Sequence, residues 1–200
     1  MLWRWSLSLL ALLSLAGVSR LMAESEDRTI VAFRGEHTRD WRVVNDGVMG
    51  GLSQSRIEAT PDGAGMFAGR LSLENNGGFA SVRADVGPLD LSPFDGLAVR
   101  VRGDGRQYRL RLRTDERFDG VAYQATFDTE DGGWQTIEIP FSTFAPTYRG
   151  RTLTDVPPLD PGRIRQLGFM IAEKQAGEFQ LVIEWVRVYG PRARTDPAQD

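Results

Sequence analysis

The most constraining feature of this sequence is a strict two-residue alternation of apolar and polar side chains near its centre. In LAVRVRGDGRQYRLRLR, residues 97–113, apolar residues occupy every second position on both sides of a Gly-Asp-Gly triplet. Because successive side chains of a β-strand point to opposite faces, this period predicts two half-buried strands. The triplet Gly103 to Gly105 predicts a hairpin turn that joins them in one sheet.

The polar positions of this run are mostly arginines. The predicted hairpin would present them on one solvent-facing side: Arg100, Arg102, Arg109, Arg111 and Arg113. We favour a solvated sheet face on which the arginines pair with acids on neighbouring strands. Binding of an acidic partner is the alternative.

Further strand-like runs are separated by turn clusters along the chain. They are residues 41–44, 54–59, 66–73, 79–84, 121–127, 134–139, 166–171 and 179–189. The 22 glycines and 10 prolines punctuate these runs and are more than a helical bundle would tolerate. The pattern predicts an all-β fold, a β-sandwich of the jelly-roll type. Residues 144–163, rich in Pro, Thr and Gly, predict one long ordered loop.

The two ends of the chain differ in composition from its middle. Residues 1–23 combine Arg4, an apolar run and small residues, which predicts a secretory signal peptide and an exported, periplasmic protein. A membrane anchor formed by an uncleaved signal is the alternative. Residues 24–190 predict a single domain, and residues 191–200, with few apolar side chains, predict a disordered tail.

The net charge, the lack of cysteine and the single histidine argue against several classes of function. Without Arg4 and Arg20, 22 basic residues face 27 acidic ones, a balance that disfavours nucleic acid as a partner. The chain has no cysteine, hence no disulfide and no thiolate metal site, and its single histidine, His37, has no motif of a catalytic base around it. The sequence therefore predicts no catalytic residue, no metal site and no cofactor.

Acidic residues are numerous, but most of them lie in turn clusters, where they bond locally. A glycoside hydrolase needs only two converging carboxylates, so this activity stays an alternative that sequence alone does not decide. The oxygen-rich turn DTEDGG, residues 128–133, lacks the spacing of an EF-hand, and a structural calcium there is left open.

Two loops rich in Gly and Asn, NDGVMGG at residues 45–51 and ENNGGF at residues 74–79, predict tight turns at one rim of the sandwich. The turn-forming glycines are Gly47, Gly50, Gly51, Gly77 and Gly78. Because rim loops often carry binding function, we predict a shared recognition surface. Its residues are Asn45, Asp46, Met49, Ser53, Asn75, Asn76 and Phe79. A closed polar network that serves only folding is the alternative.

The order of the motifs resembles that of a known family. The motifs are WRVVNDGVMGGLSQS (41–55), FAGRLSLENNGGFASVR (67–83), FDGLAVRVRGDGRQYRLRLRT (94–114), WQTIEIPFSTFAPTYRGR (134–151) and LGFMIAEKQAGEFQLVIEWVRVYG (167–190). Together they resemble the complex I intermediate-associated protein 30 family over residues 41–189. The resemblance implies a galactose-binding-like jelly roll and a chaperone-like factor that holds membrane-arm intermediates of respiratory complex I.

The function expected from this resemblance is a non-enzymatic assembly factor of the cell envelope, with membrane-protein subunits as partners. A carbohydrate-binding module is the first alternative and implies a glycan partner. Three tryptophans, Trp41, Trp134 and Trp185, could stack on sugar rings if exposed, although their strand positions favour core packing. An envelope glycoside hydrolase is the second alternative.

Overall fold

A computed structural model of the protein describes residues 29–34 and 39–191. The predicted signal segment, His37 and all of the predicted tail except Pro191 lie outside the described residues. The strands are Thr29–Ala32 (β1), Trp41–Val43 (β2), Gln54–Ala59 (β3), Gly65–Leu71 (β4), Ala80–Leu89 (β5), Phe94–Arg102 (β6), Gln107–Arg113 (β7), Ala122–Asp128 (β8), Trp134–Pro140 (β9), Ala145–Tyr148 (β10), Arg151–Thr152 (β11), Ile164–Ile171 (β12) and Gly177–Pro191 (β13). Four short 3-10 turns complete the described elements: Asp46–Met49, Glu74–Asn76, Phe141–Thr143 and Pro161–Arg163.

These strands form two sheets that pack face to face. The six-stranded sheet has the order β3-β4-β13-β6-β9, with β1 paired to β13, and the seven-stranded sheet has the order β11-β10-β8-β7-β12-β5-β2. Strands adjacent in a sheet are antiparallel, as between β12 and β7, where Phe169 lies opposite Leu110. The all-β jelly-roll sandwich of galactose-binding-like type predicted from the sequence is thereby confirmed.

The core lies between the sheets and is built from the apolar half of each alternating strand. Leu97, Val99 and Val101 of β6 are fully buried, as are Leu110 and Leu112 of β7. Burial of each such side chain contributes about 1.5 to 3 kcal/mol relative to exposure. The polar side chains of every alternating strand therefore face outward, and the arginines are among them.

The predicted hairpin at Gly103 to Gly105 is wrong. Strand β6 pairs with β13 and β9, whereas β7 pairs with β8 and β12, so the triplet connects two different sheets. Alternation determines which face of a strand is buried, but it does not determine which strand supplies the hydrogen bonds. Consequently Arg100 and Arg102 lie on the outer face of one sheet, and the three arginines of β7 lie on the outer face of the other.

Other differences from the sequence prediction concern element boundaries. The segment predicted as one long loop contains the short antiparallel pair β10–β11, in which Thr147 lies opposite Thr152. Strand β1, which was not predicted, pairs with β13 and buries Val31 completely. Within the described ranges, no helix is long and apolar enough to cross a membrane.

Candidate functional site

A groove of about 650 Å³ lies on the outer face of the seven-stranded sheet. Its floor is formed by outward-facing positions of β5, β12 and β7. The loops around residues 44–49 and 77–79 form one wall, and the β7–β8 loop at residues 118–120 contributes another. The loops that bound the groove therefore lie at opposite ends of the central strands.

The centre of the floor is a row of three residues on neighbouring strands. Gly168 of β12 lies opposite Arg83 of β5 on one side and opposite Arg111 of β7 on the other. Residues directly opposite one another in an antiparallel sheet point to the same face. Because Gly168 has no side chain, it leaves open space between two arginines. A Cβ at this position would lie 2.5 Å from the carbonyl oxygen of Val82.

Most arginines of the groove have partners within the protein. Arg109 forms an ion pair with Glu173, and Arg149 forms one with Asp119 through an Nη2–Oδ2 distance of 2.6 Å. Arg113 donates to the carbonyl oxygen of Gly120 at 2.8 Å. These contacts hold the loops that surround the sheet against its outer face.

Arg83 is also held by the β7–β8 loop. Its Nη1 donates to the carbonyl oxygen of Phe118 at 2.9 Å, and its guanidinium carbon lies 4.4 Å from the centroid of the Phe118 ring. The Phe118 side chain is otherwise exposed to solvent. An aromatic ring therefore covers one edge of the cationic floor.

Arg111 differs from the other arginines of the floor. Its Nε is buried and has no hydrogen-bond partner, and no acidic residue of the described chain pairs with it. Burial, together with the charges of Arg113, Arg109 and Arg83, lowers the pKa of Arg111 to about 10. It remains a cation at neutral pH, and its charge is stabilised less well than that of an exposed arginine.

The two Gly- and Asn-rich loops lie side by side and are joined by one buried carboxylate. Asp46 is fully buried, and its carboxylate accepts hydrogen bonds from the Ser53 hydroxyl at 2.6 Å and from the backbone N–H groups of Ser53, Gly78 and Phe79 at 3.0, 2.7 and 3.3 Å. Asn45 extends the network, because its Oδ1 accepts from the Ser55 hydroxyl and the Ser81 backbone N–H. These bonds fix the relative position of both loops.

The electrostatics of Asp46 follow from these contacts. Burial alone would raise the pKa of its carboxyl group, but the bonds from the Ser53 hydroxyl and from the backbone N–H groups of Gly78, Ser53 and Phe79 outweigh this effect. They hold the pKa of Asp46 below its usual value. The carboxylate is therefore ionised at neutral pH and keeps all of its donors.

The predicted recognition residues fall into two groups. Asp46 and Ser53 are buried, and their bonding groups are used inside the protein, so they position the loops. Met49 and Phe79 line the groove, and Met49 is 57% exposed. For these two, contact with a partner stays a prediction, as it does for Asn75, which is exposed with a φ of 54°, and for its neighbour Asn76.

The predicted turn glycines serve different local needs. Gly50 and Gly78 have positive φ values of 89° and 139°. Gly51 and Gly77 make room for the buried carboxylate, because a Cβ on them would lie 2.5 Å from Asp46 Oδ1 and 2.7 Å from Asp46 Oδ2. At Gly47 a Cβ would meet nothing within 4 Å.

The sequence did not predict that the arginines and the two loops form one site. Their common location depends on strand pairing, and the sequence signal available was the outward alternation of Arg109, Arg111 and Arg113. It also did not single out Arg83, Gly168 or Phe118. A glycine inside a strand was the signal that could have drawn attention to Gly168.

The groove contains neither a tryptophan platform nor a pair of free carboxylates among the residues described. Trp41 stacks on Phe33 and packs against the core, while Trp134 and Trp185 lie on the six-stranded sheet beneath arginine side chains. Asp119, bonded by Arg149, has a lowered pKa, the opposite of what a general acid requires. The described residues contain no group of three or more potential metal-ligating His, Cys, Asp or Glu side chains.

Comparison with known families agrees with the motif order. The profile of the complex I intermediate-associated protein 30 family matches residues 31–183. The chain belongs to this family. The match includes both Gly- and Asn-rich loops and every strand of the groove floor, so the site described above is part of the family domain.

Named relatives cover most of this chain. Complex I intermediate-associated protein 30, mitochondrial, from Drosophila melanogaster is 30% identical over 80% of the chain and 62% of its own length. The Mus musculus protein of the same name is 29% identical over 86% of the chain and 57% of its own length. An uncharacterised Schizosaccharomyces pombe protein is 30% identical over 76% of the chain and 78% of its own length. The chain thus spans about three fifths of the length of the fly and mouse relatives.

These relatives overturn the predicted location. The prediction of an exported, periplasmic protein, with an uncleaved membrane anchor as its alternative, is wrong, because the fly, mouse and Neurospora crassa relatives are named as mitochondrial proteins. An apolar run after an arginine has the physical character of a secretory signal, but this character does not specify which membrane is addressed. The prediction rested on the composition of residues 1–23 alone.

Solved structures with the same fold include carbohydrate-binding modules. The family 11 module of the Clostridium thermocellum cellulase Lic26A-Cel5E superposes with a TM-score of 0.62, 19% identity, and coverage of 82% of this chain and 94% of the module. The Clostridium thermocellum family 11 module in complex with a β-1,3-1,4-mixed-linked tetrasaccharide superposes with a TM-score of 0.60 and 18% identity. The match covers 82% of this chain and 95% of the module. At this level of identity the similarity establishes the fold alone.

Proposed function

We propose that this protein is a non-enzymatic assembly factor that holds an intermediate of respiratory complex I through the groove and its apolar wall. The observation that carries this proposal is the exposure of Val48 and Met49, at 67% and 57%, on the groove wall. A cluster of exposed apolar side chains on neighbouring loops is typical of a protein interface. Methionine in particular adapts to varied apolar partners.

The distribution of exposed apolar side chains supports this proposal. The large apolar residues that are exposed in the described chain are Val43, Val48, Met49, Leu52, Leu73 and Phe118. All except Phe118 belong to the two loops or to their flanks, and Phe118 lies across the groove floor from them. The Asp46 network holds the loops in place before a partner arrives, which lowers the entropic cost of binding.

Glycan binding and hydrolysis have less support in this groove. Sugar-binding clefts depend on exposed aromatic platforms. Among the described residues, the aromatic side chains that line this groove are Phe79 and Phe118, and the guanidinium of Arg83 lies over the Phe118 ring. Its carboxylates, Asp119 and Glu173, are each paired with an arginine. Two such groups are poorly suited to act as acid and nucleophile.

Genetic complementation tests the proposal. The chromosomal gene is deleted, and wild type or the double variant V48S/M49S is returned with a C-terminal tag. We expect wild type to restore mature complex I on native gels and to co-purify with its subunits from detergent-solubilised respiratory membranes. The double variant should restore neither, while its melting temperature stays within about 2 °C of wild type, because exposed side chains contribute little to folding.

The control is R56S/E58S, which shortens two exposed side chains of β3 on the other sheet without changing the net charge. It should complement fully. Normal complex I levels in the deletion strain would overturn the assembly role. Full complementation by V48S/M49S would overturn the assignment of the interface to this wall.

A further inference from the structure

The groove has a charge opposite in sign to that of the whole chain. Its lining contains five arginines, Arg83, Arg109, Arg111, Arg113 and Arg149, against two acids, Asp119 and Glu173. The lining thus has three positive charges in excess, whereas the full chain has a formal net charge of −3. A concentration of like charge in a cleft is costly for the folded protein and attracts an oppositely charged ligand.

We infer that Arg83 and Arg111, on either side of Gly168, form a seat for a carboxylate of an acidic peptide segment. This inference rests on the proposed function, since the segment would belong to the assembly partner. Gly168 supplies the space, because it places no side chain between the arginines of the two neighbouring strands. A guanidinium presents parallel N–H donors that match the two oxygens of a carboxylate.

The missing hydrogen-bond partner of Arg111 Nε is a second observation, besides the excess positive charge, that supports a carboxylate ligand. Buried donors are almost always satisfied, and the Nε of Arg111 is not. A carboxylate above Gly168 would accept from Arg111 and would also offset the repulsion that Arg111 experiences from Arg109, Arg113 and Arg83. A ligand of this class would thus supply the counter-charge that the described chain does not provide for Arg111.

A second unpartnered group is an acceptor that a peptide N–H could bond, and the exposed apolar side chains of Val48 and Met49 favour a peptide over an anionic glycan. Gln166 lines the groove two residues before Gly168; its Nε2 donates to Asp85 at 2.7 Å, and its buried Oε1 has no partner. A peptide main chain supplies an N–H donor beside an acidic side chain. Apolar side chains of the same segment could then contact Val48 and Met49 on the wall. The groove therefore offers complementary groups for charge, main chain and apolar side chains of one extended segment.

The test uses the purified full chain and fluorescein-labelled hexaglutamate, with binding followed by fluorescence anisotropy at low salt. Hexaglutamine of the same length is the uncharged control. We expect hexaglutamate to bind, with an affinity that falls as salt is added, and we expect no binding of hexaglutamine. R111M should weaken binding by about tenfold or more, because hydrogen bonds to charged groups have large net effects.

The matched control is R102M, which removes the same charge from the outer face of the other sheet, where Arg102 lies 5.2 Å from the Trp134 ring. It should change the affinity by less than about twofold, because its charge is remote and screened. R83M is a second groove variant that should weaken binding even if R111M does not fold. R111K keeps the charge but loses the planar guanidinium, so its affinity for hexaglutamate should lie between those of wild type and R111M.

Three results would overturn the inference: hexaglutamate does not bind, R111M and R102M weaken it equally, or polygalacturonate binds through Arg111 in its place. The last result would assign the groove to an anionic glycan. The complementation assay separates this inference from the proposed function. If V48S/M49S fails to restore complex I while R111M restores it fully, the assembly role stands and the carboxylate seat does not.

Discussion

The carboxylate of Asp46 accepts a hydrogen bond from the backbone N–H of Gly78 at 2.7 Å, which ties together two loops that are 32 residues apart in the chain. The accepting residue is fully buried, and the bond is charge-assisted and accompanied by further donors from Ser53 and Phe79. A buried acceptor of this kind stabilises the native state mainly because its loss leaves several donors unsatisfied. The wall of the groove therefore depends on one side chain that a partner does not touch.

Asp46→Asn is expected to destabilise the protein by about 2 to 4 kcal/mol, because an amide nitrogen would replace an acceptor oxygen among backbone N–H donors. The measurement is urea unfolding at neutral pH, followed by tryptophan fluorescence. The exposed Asp131→Asn is the control and should change the free energy of unfolding by less than about 0.5 kcal/mol. Equal stability of D46N and wild type would contradict the structural role of the network.

The same carboxylate predicts a pH dependence. The pKa of Asp46 is lower in the folded protein than in the unfolded chain, where it is about 3.9. Its contribution is therefore complete above about pH 4 and is lost as the pH falls through the folded-state value. The difference in unfolding free energy between wild type and D46N should shrink as the pH falls below about 4. A difference that is constant over this range would contradict the assigned ionisation.

Gly51→Ala should destabilise the protein by about 1 to 3 kcal/mol, because the new Cβ would lie 2.5 Å from Asp46 Oδ1. Gly47→Ala in the same loop is the matched control, since a Cβ there meets nothing within 4 Å. Thermal unfolding of the two variants should give a lowered melting temperature for G51A only. Similar melting temperatures for both would contradict the packing of Gly51 against the carboxylate.

Gly168→Ala should both destabilise the sheet and reduce the space in the groove. Its Cβ would lie 2.5 Å from the carbonyl oxygen of Val82 and 3.1 Å from the Cβ of Arg83, so β12 or β5 must shift. We expect a loss of about 1 to 3 kcal/mol in urea unfolding. Gly133→Ala, in open surroundings, is the control and should unfold as wild type does. If G168A unfolds like G133A, the close approach of the two strands at this point is not as described.

Arg111→Met should raise the melting temperature. Methionine retains the apolar stem, whereas the Nε of Arg111 is buried without a partner, and burial together with three neighbouring like charges lowers the pKa of Arg111. A lowered pKa in a basic group means that folding disfavours the charged form, so removing the charge stabilises the native state at every pH below about 10. Differential scanning calorimetry at pH 7 measures the shift. A lower melting temperature would indicate that Arg111 already has a stabilising partner within the folded protein.

The sequence by itself determined the fold class and most strand positions, because the side-chain period of a strand is local and is visible in every alternating run. Residues 54–59, predicted as a strand, form β3 with the same limits. The Gly and Asn residues of the two loops likewise predicted tight turns, because positive φ values and close backbone approach require particular residues. The order of the motifs was sufficient to identify the family.

Only the tertiary structure decided which strands became neighbours, and with them the site. Two adjacent alternating runs fit a hairpin and a crossover between sheets equally well, because hydrogen bonds between strands are made by the backbone and carry no side-chain signature. The crossover separates Arg100 from Arg111, and the pairing of β5, β12 and β7 brings Arg83, Gly168 and Arg111 into one row. The groove exists because residues far apart in sequence occupy opposite positions on three paired strands.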